Sequence, residues 1–414
     1  MPISTEEART IVLQAVSTLP AERVPLLEAL GRVLAEDVTS DIDIAPFDNS
    51  AMDGFAVRAA DLAGASTRSP VALRVVDHIA AGGVGTVPVT QGTASRIMTG
   101  APIPEGADAV VMVEFTKVDS GDGSTGSVVS FEREPKVEDH IRRAGEDVRA
   151  GEVVVAAGEI VRPASIGLIA AAGNPTVSVR RRPRVAVLST GDELVEVDEM
   201  PGPGQIRNSN TSSLAAQVIE AGGVPDIIGI VHDTEEATRT AFKRAAESDF
   251  AVTSGGVSVG DFDYVKPVLE ELGSIVFSRV DMRPGSPQTF GSIAGTPFFG
   301  LPGNPSSTYV GFEMFVRPAL RKMQGMRTLD RPTVTARLTE AVTKRQGRRY
   351  FLRARLSRGA DGAWEVMLPG SQSSAVLSTA HKSNAFMVLP EGPSRFAAGD
   401  LVECIRLDVE EGTL

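Results

Sequence analysis

Behind Ser4 and Glu7, which stand at capping-box spacing, Ala8, Ile11, Val12, Ala15 and Val16 fall on one helical face, so a helix opens the chain. A second helical pattern, LLEALGRVLAEDV, leads into SDIDIAPFDNSAMDGFAV, where Pro46 and the polar Asp48-Asn49-Ser50 break the periodicity. From about Pro46 to Ile141 the texture changes to short β-branched runs cut by glycine and proline, as in VALRVVDHI, ASRIMTGAPIP and AVVMVEFTKV. That pattern predicts a small, mostly β domain inserted into the first one, with GDGSTGS around Gly121 as a hairpin tip. GEVVVAAGEIVRPASIGLIAAAG then returns to strand and helix.

From Arg184 the alternation becomes regular. RVAVLST, PDIIGIV, FAVTS, SIVFSRV and PFFGL read as strands. Between and after them come helices beginning at Asn210-Thr211, at Asp233 with Glu236 as cap, around YVKPVLEEL, and through SSTYVGFEMFVRPAL. Strands alternating with helices of this length imply βαβ units and a doubly wound, mostly parallel α/β sheet. Beyond Pro332, TVTARLTEAV, RYFLRARL, WEVML, AFMVL and LVECIRL are separated by GADG and PEGP turns, and five such short strands predict a small, barrel-like β domain. The domain expectation is therefore 1–45 with 142–180 as a discontinuous N-terminal and hinge domain, 46–141 inserted, 181–328 α/β, and 329–414 C-terminal.

Composition narrows the function classes. The 414 residues exceed one core, and 42% hydrophobic with 23% charged is a soluble globular profile. No apolar run approaches the ~18 residues of a membrane span, and the N-terminus lacks a secretory signature, so the expectation is a cytoplasmic protein with no membrane partner. A single cysteine, Cys404, excludes an internal disulfide, and four scattered histidines argue against a histidine-rich metal centre. With 41 Lys and Arg against 53 Asp and Glu, the net charge of −12 argues against nucleic acid as a partner but not against a small anion held by local arginines such as Arg142-Arg143.

Ligands of an open α/β sheet bind beyond the carboxyl ends of its strands. Three of the predicted strands end there in unusual loops: LSTGDE, TSGGVSVGDFD and LPGNPSS. Gly255, Gly256 and Gly260 allow close backbone approach, and Ser254 and Ser258 add hydroxyl donors for an oxyanion. Gly303-Asn304-Pro305-Ser306 opens a helix, whose first amides favour an anion. Asp192, Glu193, Asp261 and Asp263 are hard oxygen ligands suited to Mg²⁺ on a phosphate, and Arg283 in MRPGSP can donate in bidentate fashion. Taken singly, each loop is more often a tight connection than a phosphate cradle, and Asp192-Glu193 reads also as a pair of helix N-terminal acids, Pro302 with Pro305 as a chain break. The aromatic and Met residues of YVGFEMFV read as core. Convergence of the three loops on one edge, with both donors and carboxylates, favours a site. A second set, Asp48 to Gly54, Met98 to Pro102 and Arg142 to Asp147, fits an Asx-type turn equally well, and spacing alone leaves both readings open.

Together these stretches resemble the MoeA-type molybdenum insertases, which include the corresponding domain of gephyrin. PFDNSAMDGFAV, IMTGAPIPEGADAVV, IRRAGEDV, VLSTGDEL, GQIRNSN, SGGVSVGDFDYVKP, FFGLPGNPSSTYVGFEMFVRP and GRRYFLRA stand in that family's order, nearly end to end. The resemblance implies an elongated homodimer of four-domain subunits, each with a central molybdopterin-binding fold. Its cleft would lie between the α/β domain of one subunit and the inserted domain of the other. It also implies insertion of molybdate into adenylylated molybdopterin with Mg²⁺-dependent release of AMP. A MogA-type molybdopterin adenylyltransferase would act upstream, and molybdoenzyme apoproteins or cofactor carriers downstream.

By that resemblance Asp192, Glu193, Asp233 and Asp263 match acidic positions important for activity, Asp261 lies in the same loop, and Pro302 and Pro305 match paired prolines. Asp53, Thr99, Arg142 and Asp147 match positions contributed by the inserted and hinge regions. Lys266 and Ser286 join the cofactor-binding set. Where many members carry a KPGKP-like motif, this chain has Arg283-Pro284-Gly285-Ser286-Pro287, which keeps one positive charge and removes another. A pterin carrier, a paralogue with altered molybdate or tungstate preference, and the preceding adenylyltransferase stay open beside insertion.

Overall fold

The computed structural model describes residues 2–256 and 264–409. Its centre is a six-stranded sheet in the order Val224–Val231, Arg184–Thr190, Phe250–Ser254, Thr296–Leu301, Pro287–Ile293 and Gly273–Arg279. The first four strands run parallel, and Pro287–Ile293 is antiparallel to both of its neighbours, Thr296–Leu301 and Gly273–Arg279. The Pro287–Ile293 strand is absent from the sequence expectation because PQTFGSI carries no clean apolar alternation. It pairs nonetheless because Gly291 lets the neighbouring backbone approach: a Cβ there would lie 1.9 Å from the Ser274 carbonyl oxygen.

Alternation along Arg184–Thr190 explains the two layers of helix. Val185 and Val187 face a core built with Leu214, Val218, Phe312 and Phe315, while Ala186 and Leu188 face Phe242, Val265 and Leu269 on the other side. Two helix starts differ from expectation by one or two residues. Asn208 rather than Asn210 caps Ser209–Glu220, accepting from the Thr211 N–H, and Thr234 rather than Asp233 caps Glu235–Ala245. Asn210 and Asp233 are thereby free for other contacts.

The N-terminal helix, Thr5–Gln14, is capped by Ser4 and packs Ala8, Val12 and Val16 onto the first of those cores. The second expected helix is not formed. LLEALGRVLAEDV contains only a short 3₁₀ turn, Leu26–Ala29, then Gly31 at φ +75°, and Val33 and Leu34 bridge to Ile160 and Val179. Its leucine spacing imitates a helical stripe, but Leu27 and Leu30 are exposed while Ala29, Leu34 and Val38 enter a core fed by extended segments.

The inserted region forms its own six-stranded sheet, in the order Ala109–Met112, Gly54–Val57, Thr93–Ile97, Ser66–Ile79, Val128–Arg133 and Thr116–Ser120. Its core centres on Phe55 and Phe131, edge to face at 5.5 Å. Asn49–Ser50 pairs with Ile141–Arg142 where the chain enters and leaves it. Near the C-terminus, Thr333–Leu338, Arg349–Arg358, Trp364–Met367, Ala385–Leu389 and Leu401–Arg406 pair in a closed circuit, the barrel that the five short runs predict. Cys404 is buried in it, and desolvation pushes its thiol up to about 12, so it acts as a small apolar side chain. No helix among the described residues is long and apolar enough to cross a membrane.

Phe299 joins these layers, stacking on Phe315 at 5.4 Å and touching Phe290 and Phe277, with none of its surface exposed. Phe299→Ala is expected to lower unfolding free energy by about 3–5 kcal/mol, read from urea denaturation, because the surrounding sheet and helix cannot collapse into the void.

Candidate functional site

Because four strands are parallel, the segments after Thr190, Val231, Ser254 and Leu301 leave the sheet at the same edge. One side chain ties three of the regions there. Asn210 Nδ2 donates to Ser254 Oγ at 2.6 Å and to the Gly303 carbonyl at 2.8 Å. Thr308 Oγ1 donates to the Pro302 carbonyl at 2.6 Å, and Gly255 N–H to the Leu301 carbonyl at 2.9 Å. The LPGNP turn is therefore fixed from both sides. Gly255 sits at φ +97°, where a Cβ would lie 2.5 Å from the Thr190 carbonyl oxygen, so the glycine serves close backbone approach.

Two cavities flank this turn, and Gly303 and Asn304 line both. The first, about 640 Å³, lies between the Arg283–Pro287 turn and the C-terminal barrel; Arg283, Arg348 and Arg353 line it, and among the described residues no acidic one does. Met282–Arg283 pairs with Arg349–Tyr350, and the Arg283 guanidinium lies 6.0 Å from the Tyr350 ring centroid. The second cavity, about 480 Å³, is lined by Glu193, Arg207, Asn208, Ser209, Asn210 and Ser254 among others.

Carboxylates gather beyond the second cavity. Asp192 Oδ1 accepts from the Asp233 backbone N–H at 3.2 Å and lies 3.1 Å from His232 Nδ1. That backbone bond first, then the His232 contact, holds the Asp192 carboxyl below its ordinary range. Asp233 moves the other way: partial burial first, then the negative charges of Asp192 and Glu193, raise its pKa. Crowded carboxylates of this kind fit a divalent cation in charge. They do not complete its shell, since no three Asp, Glu, His or Cys among the described residues are arranged to hold a metal ion.

The remaining expected residues fall into four groups. Gly256, Ser286 and Pro302 line the first cavity, and Pro305 lines the second. Ser286 turns its hydroxyl to the Val280 carbonyl at 2.8 Å rather than offering it to a ligand. Ser306 lines neither cavity: its N–H goes to the Ser374 carbonyl and its hydroxyl to the Val376 carbonyl at 2.7 Å, clamping the 371–376 segment against the helix. Lys266 is half-buried in the Val265–Leu272 helix. On the inserted sheet Asp53 Oδ1 accepts from both the N–H and the hydroxyl of Thr99, at 2.7 and 2.8 Å, which lowers its pKa, the backbone bond contributing most. Asp53, Thr99, Arg142 and Asp147 border neither cavity of their own chain. Ser258, Gly260, Asp261 and Asp263 lie outside the described residues.

Sequence reasoning missed His232, the bridging role of Asn210, and Arg353 with the Ser371–Ser374 segment. The stretch RRYFLRAR carries a visible charge signal, whereas SQSS has no periodicity to mark it.

Three family profiles match the chain: the MoeA N-terminal region (domain I and II) over residues 3–173, a probable molybdopterin binding domain over 186–322, and the MoeA C-terminal region (domain IV) over 335–407. The molybdopterin molybdenumtransferase of Bacillus subtilis (strain 168) is 40% identical over 414 residues, 100% of this chain and 96% of its own length. The protein of the same name from Staphylococcus aureus (strain COL) is 38% identical over 406 residues, 98% of this chain and 95% of its own. The molybdopterin biosynthesis MoeA protein of Pyrococcus horikoshii OT3 superposes with a TM-score of 0.80 at 31% identity, covering 98% of this chain and 100% of that one.

Two outcomes follow from the geometry. Gly255→Ala should lose about 1–3 kcal/mol of stability, read from urea unfolding, because φ +97° is strained for alanine and the Thr190 backbone must shift. Asp233 binds its proton more tightly folded than unfolded, so its charge weakens the fold above the carboxylate range, and that penalty lifts as pH falls through the raised value. Asp233→Asn should therefore be more stable than wild type in thermal unfolding at neutral pH, with the gap closing in acid.

Proposed function

The chain belongs to the MoeA family of molybdopterin molybdenumtransferases, and on that premise we propose that it inserts molybdate into adenylylated molybdopterin with release of AMP. It is a molybdenum-transferring enzyme of molybdenum cofactor biosynthesis. The observation that carries the finer reading is the pair of cavities sharing the Gly303-Asn304 wall, one lined by arginines and, among the described residues, by no acid, the other by neutral donors beside carboxylates. An oxyanion and an adenylylated pterin would thus be held side by side, with their reacting groups in range.

In this reading Arg283 and Arg348 receive molybdate in the first cavity, where no acidic residue among those described competes. Ser254, Asn208 and Asn210 orient the pterin and its phosphates in the second, with Gly255 and Gly256 giving the backbone room to approach. Mg²⁺ held by Asp192, Glu193, Asp261 and Asp263 would neutralise the phosphoanhydride and stabilise charge on departing AMP. Asp233, held half-buried against Asp192, keeps that carboxylate cluster compact. The charge lost where this chain has Ser286 is not restored by that side chain, whose hydroxyl faces Val280; the arginines of the barrel wall take its place.

The Asp53–Thr99 pair fits a homodimer in which the inserted sheet of one subunit reaches the α/β edge of the other, since it borders neither cavity of its own chain. An adenylyltransferase of the MogA type would supply the substrate, and apo-molybdoenzymes or cofactor carriers would take the product.

Purified protein given adenylylated molybdopterin, Mg²⁺ and molybdate should release AMP only when all three are present. Asp192→Asn and Asp263→Ala should each slow release by about 10²–10³-fold, the scale of losing one electrostatic stabiliser of the transition state. Nucleotide that binds but is never cleaved would favour a carrier. Sedimentation showing only monomer at micromolar concentration would remove the shared cleft.

A further inference from the structure

The inserted body is carried by two strands. Its cores, one around Phe55 and Phe131 and one around Ile97 and Val110, take every described member from residues 55–141, so no shared core fixes where it stands against the α/β sheet. Its placement is therefore set at the neck, where the chain enters through residues 45–48 and returns through 138–145.

Backbone geometry at the neck is unusual. Ala45, Glu138 and His140 stand at φ +59°, +73° and +57°, three of the four non-glycine residues at positive φ among those described. Side chains adopt that conformation only where the surroundings hold it. Gly145, at φ +66°, donates its N–H across the neck to the Ala45 carbonyl at 3.0 Å.

One side chain staples the two strands. Arg143 donates through Nη1 to Asp48 on the incoming strand and through Nη2 to Glu138 on the outgoing one. Both partners are tied to the inserted body: the Asp48 carbonyl accepts from Ile103 N–H at 2.9 Å, and Glu138 N–H donates to the Asp108 carbonyl at 2.7 Å. Asp48 also accepts from Ala144 N–H at 2.9 Å. That bond first, and Arg143 after it, hold the carboxyl below its ordinary range, so it is charged at neutral pH. The Arg143 side chain is 51% exposed, and ion pairs so exposed add little to stability. What one rigid fork on two carboxylates supplies is geometry.

We propose that Arg143 is a positioning residue of the molybdenum-transferring site: by stapling both strands of the neck it sets the angle at which the inserted body presents Asp53, Thr99 and Arg142. The proposal rests on the reading that these residues serve the α/β edge of a second subunit. Because the staple faces solvent, salt loosens it and the inserted body then samples a wider range of angles.

The single native cysteine, Cys404, is buried with its thiol pushed up to about 12, so spin labels attached at Arg68→Cys and Glu247→Cys, both exposed positions, report that angle as a distance. In full-length protein diluted with unlabelled chains, pulsed dipolar spectroscopy should give one narrow distance at about 0.01 M salt, where the Debye length is ~30 Å, and a broad distribution at about 1 M, where it is ~3 Å. Arg143→Gln should be broad at both, with thermal unfolding unchanged and kcat for AMP release lowered about three- to tenfold at constant KM, the population change expected from losing two exposed pairs. Arg143→Lys, which keeps the charge but not the fork, should fall between the two. A distribution in Arg143→Gln as narrow as that of wild type at low salt overturns the proposal. So does a loss of kcat without broadening, which would make Arg143 a contact of the reaction itself. Wild-type protein that releases no AMP overturns the reading of the site, and the distances then decide the staple alone, broadening in Arg143→Gln upholding it and narrowness overturning it.

Discussion

Parallel pairing of Val224–Val231, Arg184–Thr190, Phe250–Ser254 and Thr296–Leu301 is the constraint from which the site follows. Backbone hydrogen bonds fix the direction of each strand, so four segments distant in sequence must leave the sheet at one edge. Burial on both faces then makes a one-residue slip prohibitive, because Val185 and Val187 would exchange environments with Ala186 and Leu188. With the edge so defined, one amide, that of Asn210, suffices to bind the end of one strand to the turn after another.

The second wall comes from elsewhere in the chain. The barrel meets the sheet edge through pairing of Met282–Arg283 with Arg349–Tyr350 and through Ser306, whose N–H and hydroxyl both bond the 371–376 segment. A chain of net charge −12 thereby assembles a pocket lined by three arginines and, among the described residues, by no acid, with the carboxylates of Asp192, Glu193 and Asp233 gathered toward the far side of the Gly303-Asn304 wall. Separation of charge over a short distance, rather than net charge, makes this pocket locally positive.

Loops and strands carry different kinds of information. Regular apolar periodicity was readable wherever a strand or helix buries one consistent face, as in RVAVLST, FAVTS and the five barrel runs. It misled in LLEALGRVLAEDV, where leucines at helical spacing stay exposed, and it was silent in PQTFGSI, whose pairing depends on a glycine admitting a neighbouring carbonyl. Ser306 illustrates the same limit at the site. Its position before a helix suggested an anion ligand, but only the folded chain reveals that the barrel already uses both of its donors.

What the sequence determined by itself was the inventory: an alternating α/β unit, a β insertion, a terminal barrel, and glycine, proline and carboxylate motifs placed after strands. Those are local properties, set by side-chain period and backbone preference over a few residues. The tertiary structure alone decided which of those groups meet. Ser286 turned inward, Asp233 was pressed against Asp192, and Arg353 was sealed behind the Ser371–Ser374 segment, because each outcome depends on burial and on partners that lie 6, 41 and 20 residues away along the chain.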